Sequence, residues 1–140
     1  MRSLRLIVVD DERDAVATLS AILSDEGHTV VGAHSGAEAI QQVRKAPPDA
    51  VLVDINMPGI SGYDVAREVR RLYGELAPMM IAISGKWTSQ TDQMLSKLAG
   101  FHYFLEKPCR PQMLLDLLAP LKQQAPTLPV SLIDDTLTPP

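Results

Sequence analysis

The segment VLVDINMPG, residues 51–59, contains most of the information on the fold. It begins with an apolar, mostly β-branched run and closes with a Met-Pro-Gly turn, which is typical of a short strand buried on both faces. Such strands occupy the centre of parallel sheets. An ionisable residue, Asp54, ends the run. Taken alone, Asp54 would be interpreted as a turn residue at the surface. Only residues elsewhere in the chain can indicate whether it has a chemical role.

The pattern of an apolar strand followed by a helix recurs along the chain. Strands are predicted at residues 4–9, 29–33, 50–53, 79–83 and 101–106. Apolar residues with helical spacing follow each of them, as in Val16, Leu19 and Leu23 after the first strand. Five units of this kind predict a parallel sheet covered by helices on both faces.

The composition of the strands predicts their order. LRLIVV, AVLV and MMIAI are almost entirely apolar, as central strands are, whereas HTVVGAH and FHYFLE contain polar residues, as edge strands do. An order of 2-1-3-4-5 satisfies this division. The fold class is therefore α/β, a flavodoxin-like (βα)5 doubly wound parallel sheet, whose ligand site lies at the carboxyl ends of the strands.

Several residues mark the predicted boundaries of helices. Ser61 and Asp64 form a capping-box pattern, and Pro111 suits a first helical turn. Pro120 lies inside the last apolar repeat, so we expect that helix to kink or end there. Three glycines are suited to terminate the helices that precede them: Gly27, Gly74 and Gly100.

Length, charge and composition limit the number of domains, the kinds of partner and the location that the chain can have. The chain of 140 residues is long enough for one substantial domain, which we place at residues 1–122, and the Pro/Thr-rich residues 123–140 read as a tail or linker. A net charge of −4 argues against direct nucleic-acid binding. There is no apolar run of membrane-spanning length, no signal-peptide pattern and only one cysteine, Cys109. We therefore expect a cytoplasmic protein without membrane contact.

Polar residues follow four of the five predicted strands at the end where those strands finish. They are Asp10, Asp11 and Glu12 after the first strand, Asp54 and Asn56 after the third, Ser84 after the fourth, and Glu106 and Lys107 after the fifth. Each has an ordinary explanation by itself, since acids cap helices and Ser-Gly pairs form turns. Their convergence on one end of a sheet is much harder to explain by chance.

Three carboxylates in one pocket repel one another unless a cation neutralises them. Oxygen ligands without accompanying His or Cys favour Mg²⁺ over zinc. Beside such a cation a carboxylate can act as a nucleophile toward a phosphoryl group and form an aspartyl phosphate. Lys107 and the Ser84 hydroxyl would then donate hydrogen bonds to the phosphoryl oxygens.

The motifs VVDDE (8–12), LVDINMPGISG (52–62), AISG (82–85) and FLEKP (104–108) together make the chain resemble the receiver domain of two-component response regulators. The resemblance extends from residue 4 to about residue 122. It implies that Asp54 accepts a phosphoryl group from a sensor histidine kinase or histidine phosphotransfer protein. The residues that it implies for the site are the direct Mg²⁺ ligands Asp11 and Asp54, the Asn56 backbone carbonyl, Asp10 acting through water, and Ser84 and Lys107, which hold the phosphoryl group.

The resemblance also implies a conformational switch. Phe104 stands three residues before the lysine, where the family has an aromatic residue that turns inward when the Ser84 hydroxyl moves to the phosphate. The adjacent Tyr103 is the other candidate ring. The output surface would comprise the fourth helix, fifth strand and fifth helix and would bind a downstream protein or a second copy after phosphorylation, although Pro120 weakens the expectation of a dimer. Lys86 and Trp87 would border the pocket, as surface cover or as a partner contact.

Two alternatives remain at this point. A haloacid-dehalogenase-type phosphatase also uses an aspartate at a strand end, but it requires a second Asp two positions on, where this chain has Asn56. A pseudo-receiver would act as an interaction module without phosphorylation, but this chain retains every chemical residue. The leading expectation is a switch that catalyses only its own phosphorylation and dephosphorylation.

Overall fold

The structure is a computed structural model that describes residues 3–85 and 90–123, without the side chains of residues 90–93 and 123. Lys86, Trp87 and residues 124–140 of the expected tail therefore lie outside the described residues.

Five strands alternate with five helices. The strands are β1 (Arg5–Val9), β2 (Thr29–Ala33), β3 (Ala50–Asp54), β4 (Met79–Ser84) and β5 (Tyr103–Glu106). The helices are α1 (Arg13–Asp25), α2 (Gly36–Lys45), α3 (Gly62–Tyr73), α4 (Gln90–Ala99) and α5 (Pro111–Leu118). Short 3₁₀ turns follow α3 and α5. The predicted alternation of strands and helices is confirmed.

The strands form one parallel sheet in the order β2-β1-β3-β4-β5, as predicted. Central β3 is buried at every residue, whereas the edge strands β2 and β5 are partly exposed. Because the strands are parallel, all of them finish at the same end of the sheet. We call this the carboxyl end and the opposite one the amino end.

A separate core covers each face of the sheet. Val51 and Val53 of β3 pack with residues of α2 and α3, whereas Ala50 and Leu52 pack with residues of α1 and α5. This alternation follows from the two-residue period of a strand. Burial on both faces explains why the segment before Asp54 contains no polar residue.

The predicted boundary signals are confirmed. Ser61 and Asp64 form a reciprocal capping box at the start of α3, and Pro111 occupies the first turn of α5. The helix α5 ends at Leu118, and the chain passes Pro120 in a 3₁₀ turn. The expected glycines all have positive φ, with values of 94°, 57° and 112° for Gly27, Gly74 and Gly100.

The helix α4 differs from the usual amphipathic pattern. Its apolar repeat predicted a helix correctly, but Met94, Leu95 and Leu98 are exposed, whereas Ser96 and Ala99 are buried. The apolar stripe therefore faces outward. No helix among the described residues is long and apolar enough to cross a membrane.

Candidate functional site

Three carboxylates meet at the carboxyl end of the sheet. Asp10 and Asp11 follow β1, and Asp54 ends the neighbouring strand β3. One carboxylate oxygen from each residue lies within 4.8 Å of the others. Asp10 and Asp54 are buried, and Asp11 is exposed. The predicted convergence of these acids therefore follows from the pairing of β1 with β3.

Lys107 brings a positive charge into this cluster. Its Nζ lies 2.7 Å from Asp10 Oδ2 and 3.4 Å from Asp54 Oδ2. The Lys107 backbone N–H donates to the Ser84 carbonyl at 2.8 Å, which continues the pairing of β4 with β5 by one residue. The backbone hydrogen bonds between β4 and β5 thus place Lys107 beside the carboxylates, even though Asp10 and Lys107 are 97 residues apart in the sequence.

The turn after β3 holds Asp54 and connects it to Ser84. The Asn56 backbone N–H donates to Asp54 Oδ1 at 3.0 Å, and Asn56 Nδ2 donates to Ser84 Oγ at 2.8 Å. The Ile55 backbone N–H donates to the Ile83 carbonyl at 3.0 Å. Asn56 therefore links the ends of β3 and β4 directly beside the carboxylate.

Gly62 is a positioning residue whose role only the packing of α3 reveals. A Cβ at Gly62 would lie 2.8 Å from both the Asp54 carbonyl oxygen and the Ile55 Cα. Only glycine therefore allows α3 to begin so close to the end of β3. Gly62 is the last residue of the LVDINMPGISG motif, but no local pattern in the sequence indicates such a contact.

The electrostatics of the site reflect crowding of negative charge in a buried place. Burial raises the pKa of Asp54, as does the charge of Asp10, and these effects exceed the opposing ones of the Asn56 N–H and Lys107. Partial burial lowers the pKa of Lys107, but its ion pairs with Asp10 and Asp54 raise that pKa by more, so the net shift is upward. Lys107 is therefore charged and only partly offsets the acids.

The donor set of the cluster fits a hard divalent cation. All three side chains present carboxylate oxygens, and among the described residues one ammonium opposes them, so negative charge is in excess within that part of the chain. Mg²⁺ binds one or two carboxylates and completes its shell with water, carbonyl or phosphate oxygens. A site with one exposed and two buried carboxylates is suited to this.

The expected switch residues lie on one face of the sheet. Phe104 of β5 pairs in register with Ala82 of β4, and Ser84 follows Ala82 by two residues. Phe104 and Ser84 therefore lie on the same face of the sheet. Phe104 is half-buried and packs against the core on that face. Tyr103, the alternative ring, is 41% exposed and points from the opposite face.

An apolar groove of about 410 Å³ opens from the acids along α1. Ala15, Leu19 and Ile22 form its α1 wall, and Pro108 and Cys109 form part of the opposite wall. No sequence pattern predicts this groove, because the loop after β5 that closes it is far from α1 in the sequence.

Comparisons with known proteins agree on one family. The family model described as "Response regulator receiver domain" matches residues 6–119. Protein PilH of Pseudomonas aeruginosa is 32% identical over 111 residues, which cover 79% of this chain and 91% of the relative. The response regulator MprA of Mycobacterium ulcerans is 34% identical over 106 residues, which cover 76% of this chain and 44% of the relative. The match thus spans less than half of MprA.

Among solved structures, the chemotaxis protein CheY4 of Vibrio cholerae superimposes with a TM-score of 0.79 at 28% sequence identity. The superposition covers 85% of this chain and 98% of CheY4.

Proposed function

Because this chain belongs to the family of response regulator receiver domains, we propose that it accepts a phosphoryl group on Asp54 and thereby switches a signalling surface. Receiver domains are signalling modules, and those of two-component systems work with kinases or phosphotransfer proteins. The observation that carries the proposal is the position of the buried Asp54 carboxylate, within reach of Lys107 and of two further acids.

Asp54 would be the nucleophile. A carboxylate oxygen of Asp54 attacks the phosphorus of a phosphohistidine or small phosphodonor, the bond from phosphorus to the donor breaks, and an acyl phosphate results. The Asn56 N–H that donates to Asp54 Oδ1 holds the carboxylate in one orientation. Orientation matters because phosphoryl transfer depends mainly on in-line positioning and charge stabilisation.

Lys107 would stabilise the transferred charge. Its Nζ already lies 3.4 Å from the Asp54 oxygen and can exchange this contact for one with a phosphoryl oxygen while it keeps the closer pair with Asp10. Asp11, Asp54 and the Asn56 backbone carbonyl would hold Mg²⁺ directly, and Asp10 would do so through water. When bound, Mg²⁺ neutralises the acids and the phosphoryl oxygens.

Ser84 and Phe104 would couple the chemistry to the surface. The Ser84 hydroxyl, which now accepts a hydrogen bond from Asn56, would move to a phosphoryl oxygen, and Phe104 would turn toward the space that the hydroxyl leaves. The surface of α4, β5 and α5 would then bind a downstream protein or a second copy. We place this switch in the cytoplasm, with residues 1–122 as the receiver unit, residues 123–140 as a tail or linker, and no direct nucleic-acid binding.

The test is phosphorylation of the full chain by acetyl phosphate. We expect Mg²⁺-dependent incorporation of one phosphoryl group, which chelation of the metal prevents. The Asp54→Asn variant should incorporate none, whereas Asp49→Asn, which changes a buried aspartate at the amino end of the sheet, should behave like the parent chain. Stable labelling of Asp54→Asn would overturn the assignment of the phosphoacceptor, and absence of labelling in the parent chain would favour the pseudo-receiver.

A phosphatase of the haloacid-dehalogenase type has less support. That chemistry needs an acid two positions after the nucleophile, and Asn56 at this position donates its amide hydrogen to Ser84. We propose that the catalytic activity of this chain is limited to its own phosphorylation and dephosphorylation.

A further inference from the structure

Asn56 makes two contacts in the site through different parts of the residue. Its backbone N–H donates to Asp54 Oδ1 at 3.0 Å, whereas its side-chain amide donates from Nδ2 to Ser84 Oγ at 2.8 Å. The side chain therefore holds the hydroxyl that the proposed switch has to move. The two contacts can be changed separately, because a substitution of the side chain leaves the backbone N–H and carbonyl in place.

Backbone hydrogen bonds fix the position of this side chain. The Ile55 N–H donates to the Ile83 carbonyl at 3.0 Å, which extends the pairing of β3 with β4 by one residue. The Met57 N–H donates to the Ile55 carbonyl at 3.1 Å and closes a tight turn. Asn56 lies within this turn, so its amide meets Ser84 from backbone that is held on both sides.

The two partners of the side-chain bond differ in their access to water. Ser84 is 3% exposed, whereas Asn56 is exposed. A hydroxyl at a buried position gains from a fixed donor, because bulk water cannot take the place of that donor. The Asn56 amide, once released, is hydrated instead. Breaking the bond therefore costs about as much as one ordinary neutral hydrogen bond.

We propose that the Asn56 side chain is a latch that holds the Ser84 hydroxyl in its unswitched position and thereby sets how readily phosphorylation of Asp54 switches the surface. The latch rests on the proposed function, since the hydroxyl leaves Nδ2 when it moves to a phosphoryl oxygen. A net hydrogen bond changes an equilibrium constant by a factor of about 2 to 10. The latch lowers the population of the switched form by this factor.

A lower population of the switched form weakens the binding of any phosphoryl analogue that requires this form. The apparent Kd of such an analogue is its intrinsic Kd divided by the switched fraction of the protein. Loss of the latch therefore strengthens binding, because the unswitched form loses a hydrogen bond that the switched form does not have. The apparent affinity of the analogue thus reports the strength of the latch.

A purely structural role of the same bond predicts a change in the opposite direction. If the bond only joined the ends of β3 and β4, its loss would loosen the turn that orients the Asp54 carboxylate. Binding of a phosphoryl analogue would then weaken, because the groups that contact it would be less well positioned. The direction of the change in affinity therefore distinguishes a latch from a structural link.

The test is a titration of the full chain with beryllofluoride, an analogue of the phosphoryl group, at saturating Mg²⁺. Backbone-amide NMR resonances give the apparent Kd. We expect Asn56→Ala to lower this Kd by about 2- to 10-fold. Gln41→Ala, which removes an exposed side-chain amide from α2, should keep the Kd of the parent chain. An unchanged or higher Kd in Asn56→Ala would overturn the latch.

A double-mutant cycle tests whether the gain in affinity depends on the Ser84 hydroxyl. Ser84→Ala removes the acceptor, so Asn56→Ala should change the Kd by less than about twofold in that background. A gain that persists without the hydroxyl would overturn the latch. If the parent chain does not bind beryllofluoride with Mg²⁺, the proposed function fails and the latch fails with it. If the parent chain binds and Asn56→Ala binds no more tightly, the latch alone fails.

Discussion

The two ends of the sheet bury polar side chains to the same degree but use them differently. At the carboxyl end Asp10 and Asp54 are 5% and 7% exposed, and at the amino end His28 and Asp49 are 5% and 6% exposed. Burial alone therefore cannot distinguish a functional group from a structural one in this protein.

At the amino end, side chains accept hydrogen bonds from backbone N–H groups at or next to the starts of strands. His28 Nδ1 accepts from the Leu4 N–H at 3.1 Å, and Asp49 Oδ2 accepts from the Arg5 N–H at 2.8 Å. His102 Nδ1 does the same for Met80 at 2.9 Å. These residues connect loops to neighbouring strands, so their contribution is to stability.

The carboxyl end concentrates like charges. In the described part of the chain, Asp10 and Asp54 share one lysine. Each also accepts a hydrogen bond from the backbone N–H two residues on, from Glu12 and from Asn56. Crowded acids of this kind reduce stability, which is common at functional sites. In this protein the partner of a buried polar group, rather than its burial, indicates its role.

Among the residues around Asp54, loss of Lys107 should produce the largest change in the rate of phosphorylation. We expect Lys107→Ala to lower the rate of phosphorylation by acetyl phosphate by about 10²- to 10³-fold, because it removes a preorganised cation from the reacting oxygens. Lys45→Ala, at an exposed lysine of α2, serves as the control and should keep the parent rate. An initial rate in Lys107→Ala within a factor of about two of the parent would remove Lys107 from the mechanism.

A change at the amino end should affect stability without affecting chemistry. Asp49→Ala leaves the Arg5 N–H without its acceptor and should lower the free energy of unfolding by about 1–3 kcal/mol. Urea denaturation measures this loss, and the extent of phosphorylation at full folding should stay unchanged. Reduced phosphorylation in the folded variant would contradict the assignment of this end to structure alone.

At the carboxyl end, a substitution should increase the free energy of unfolding instead of lowering it. Asp54→Asn should raise the free energy of unfolding by about 0.5–2 kcal/mol without metal, since it removes a buried charge while Lys107 keeps Asp10. Burial raises the pKa of Asp54 in the folded protein above its value in the unfolded chain. Protonated Asp54 therefore stabilises the fold at pH values below the pKa of the unfolded chain, and this stabilisation is lost as the pH rises through the pKa of the folded protein. The gain should therefore be present at neutral pH and vanish in acid. Urea titrations at both pH values measure it, and a less stable variant at neutral pH would contradict the account.

The smallest expected effect is the pH dependence contributed by His28. Burial lowers the pKa of His28 from 6.5, as does Lys122, against the raising effects of Glu26 and Asp49. The stability that neutral His28 contributes is complete above pH 6.5 and is lost as pH falls toward the folded pKa, with a slope of at most about 1.4 kcal/mol per pH unit.

The variant His28→Asn tests this dependence, because its amide oxygen can replace Nδ1 as the acceptor but does not titrate. Its unfolding free energy should fall less steeply in acid than that of the parent chain. The pKa of His102 is lowered as well, by burial, so part of the slope should remain. An identical slope in both proteins would exclude His28 as a source.

The features that could be predicted from the sequence are those set by local pattern and strand position. The all-apolar run before Asp54 indicated a central strand, and the end of α5 before Pro120 followed from proline chemistry. Placement of Asp10 beside Asp54 then followed from the order of the sheet.

Other features depend on contacts between distant segments. The hydrogen bond from Asn56 to Ser84 joins residues 28 positions apart, and the close approach of Gly62 to Asp54 appears only once α3 is packed. The outward stripe of α4 contradicts its own periodicity, because the core on that side accommodates Ser96 and Ala99 instead. Periodicity alone could not reveal which face of this helix is buried.

Phosphorylation at Asp54 is tested most directly by locating the modified residue after phosphorylation of the full chain. Borohydride reduces an aspartyl phosphate to homoserine, which peptide mass spectrometry can place in the sequence. We predict homoserine at position 54 alone, only when both acetyl phosphate and Mg²⁺ are supplied. Homoserine at Asp10, Asp11 or Asp49, or at no position, would contradict the account.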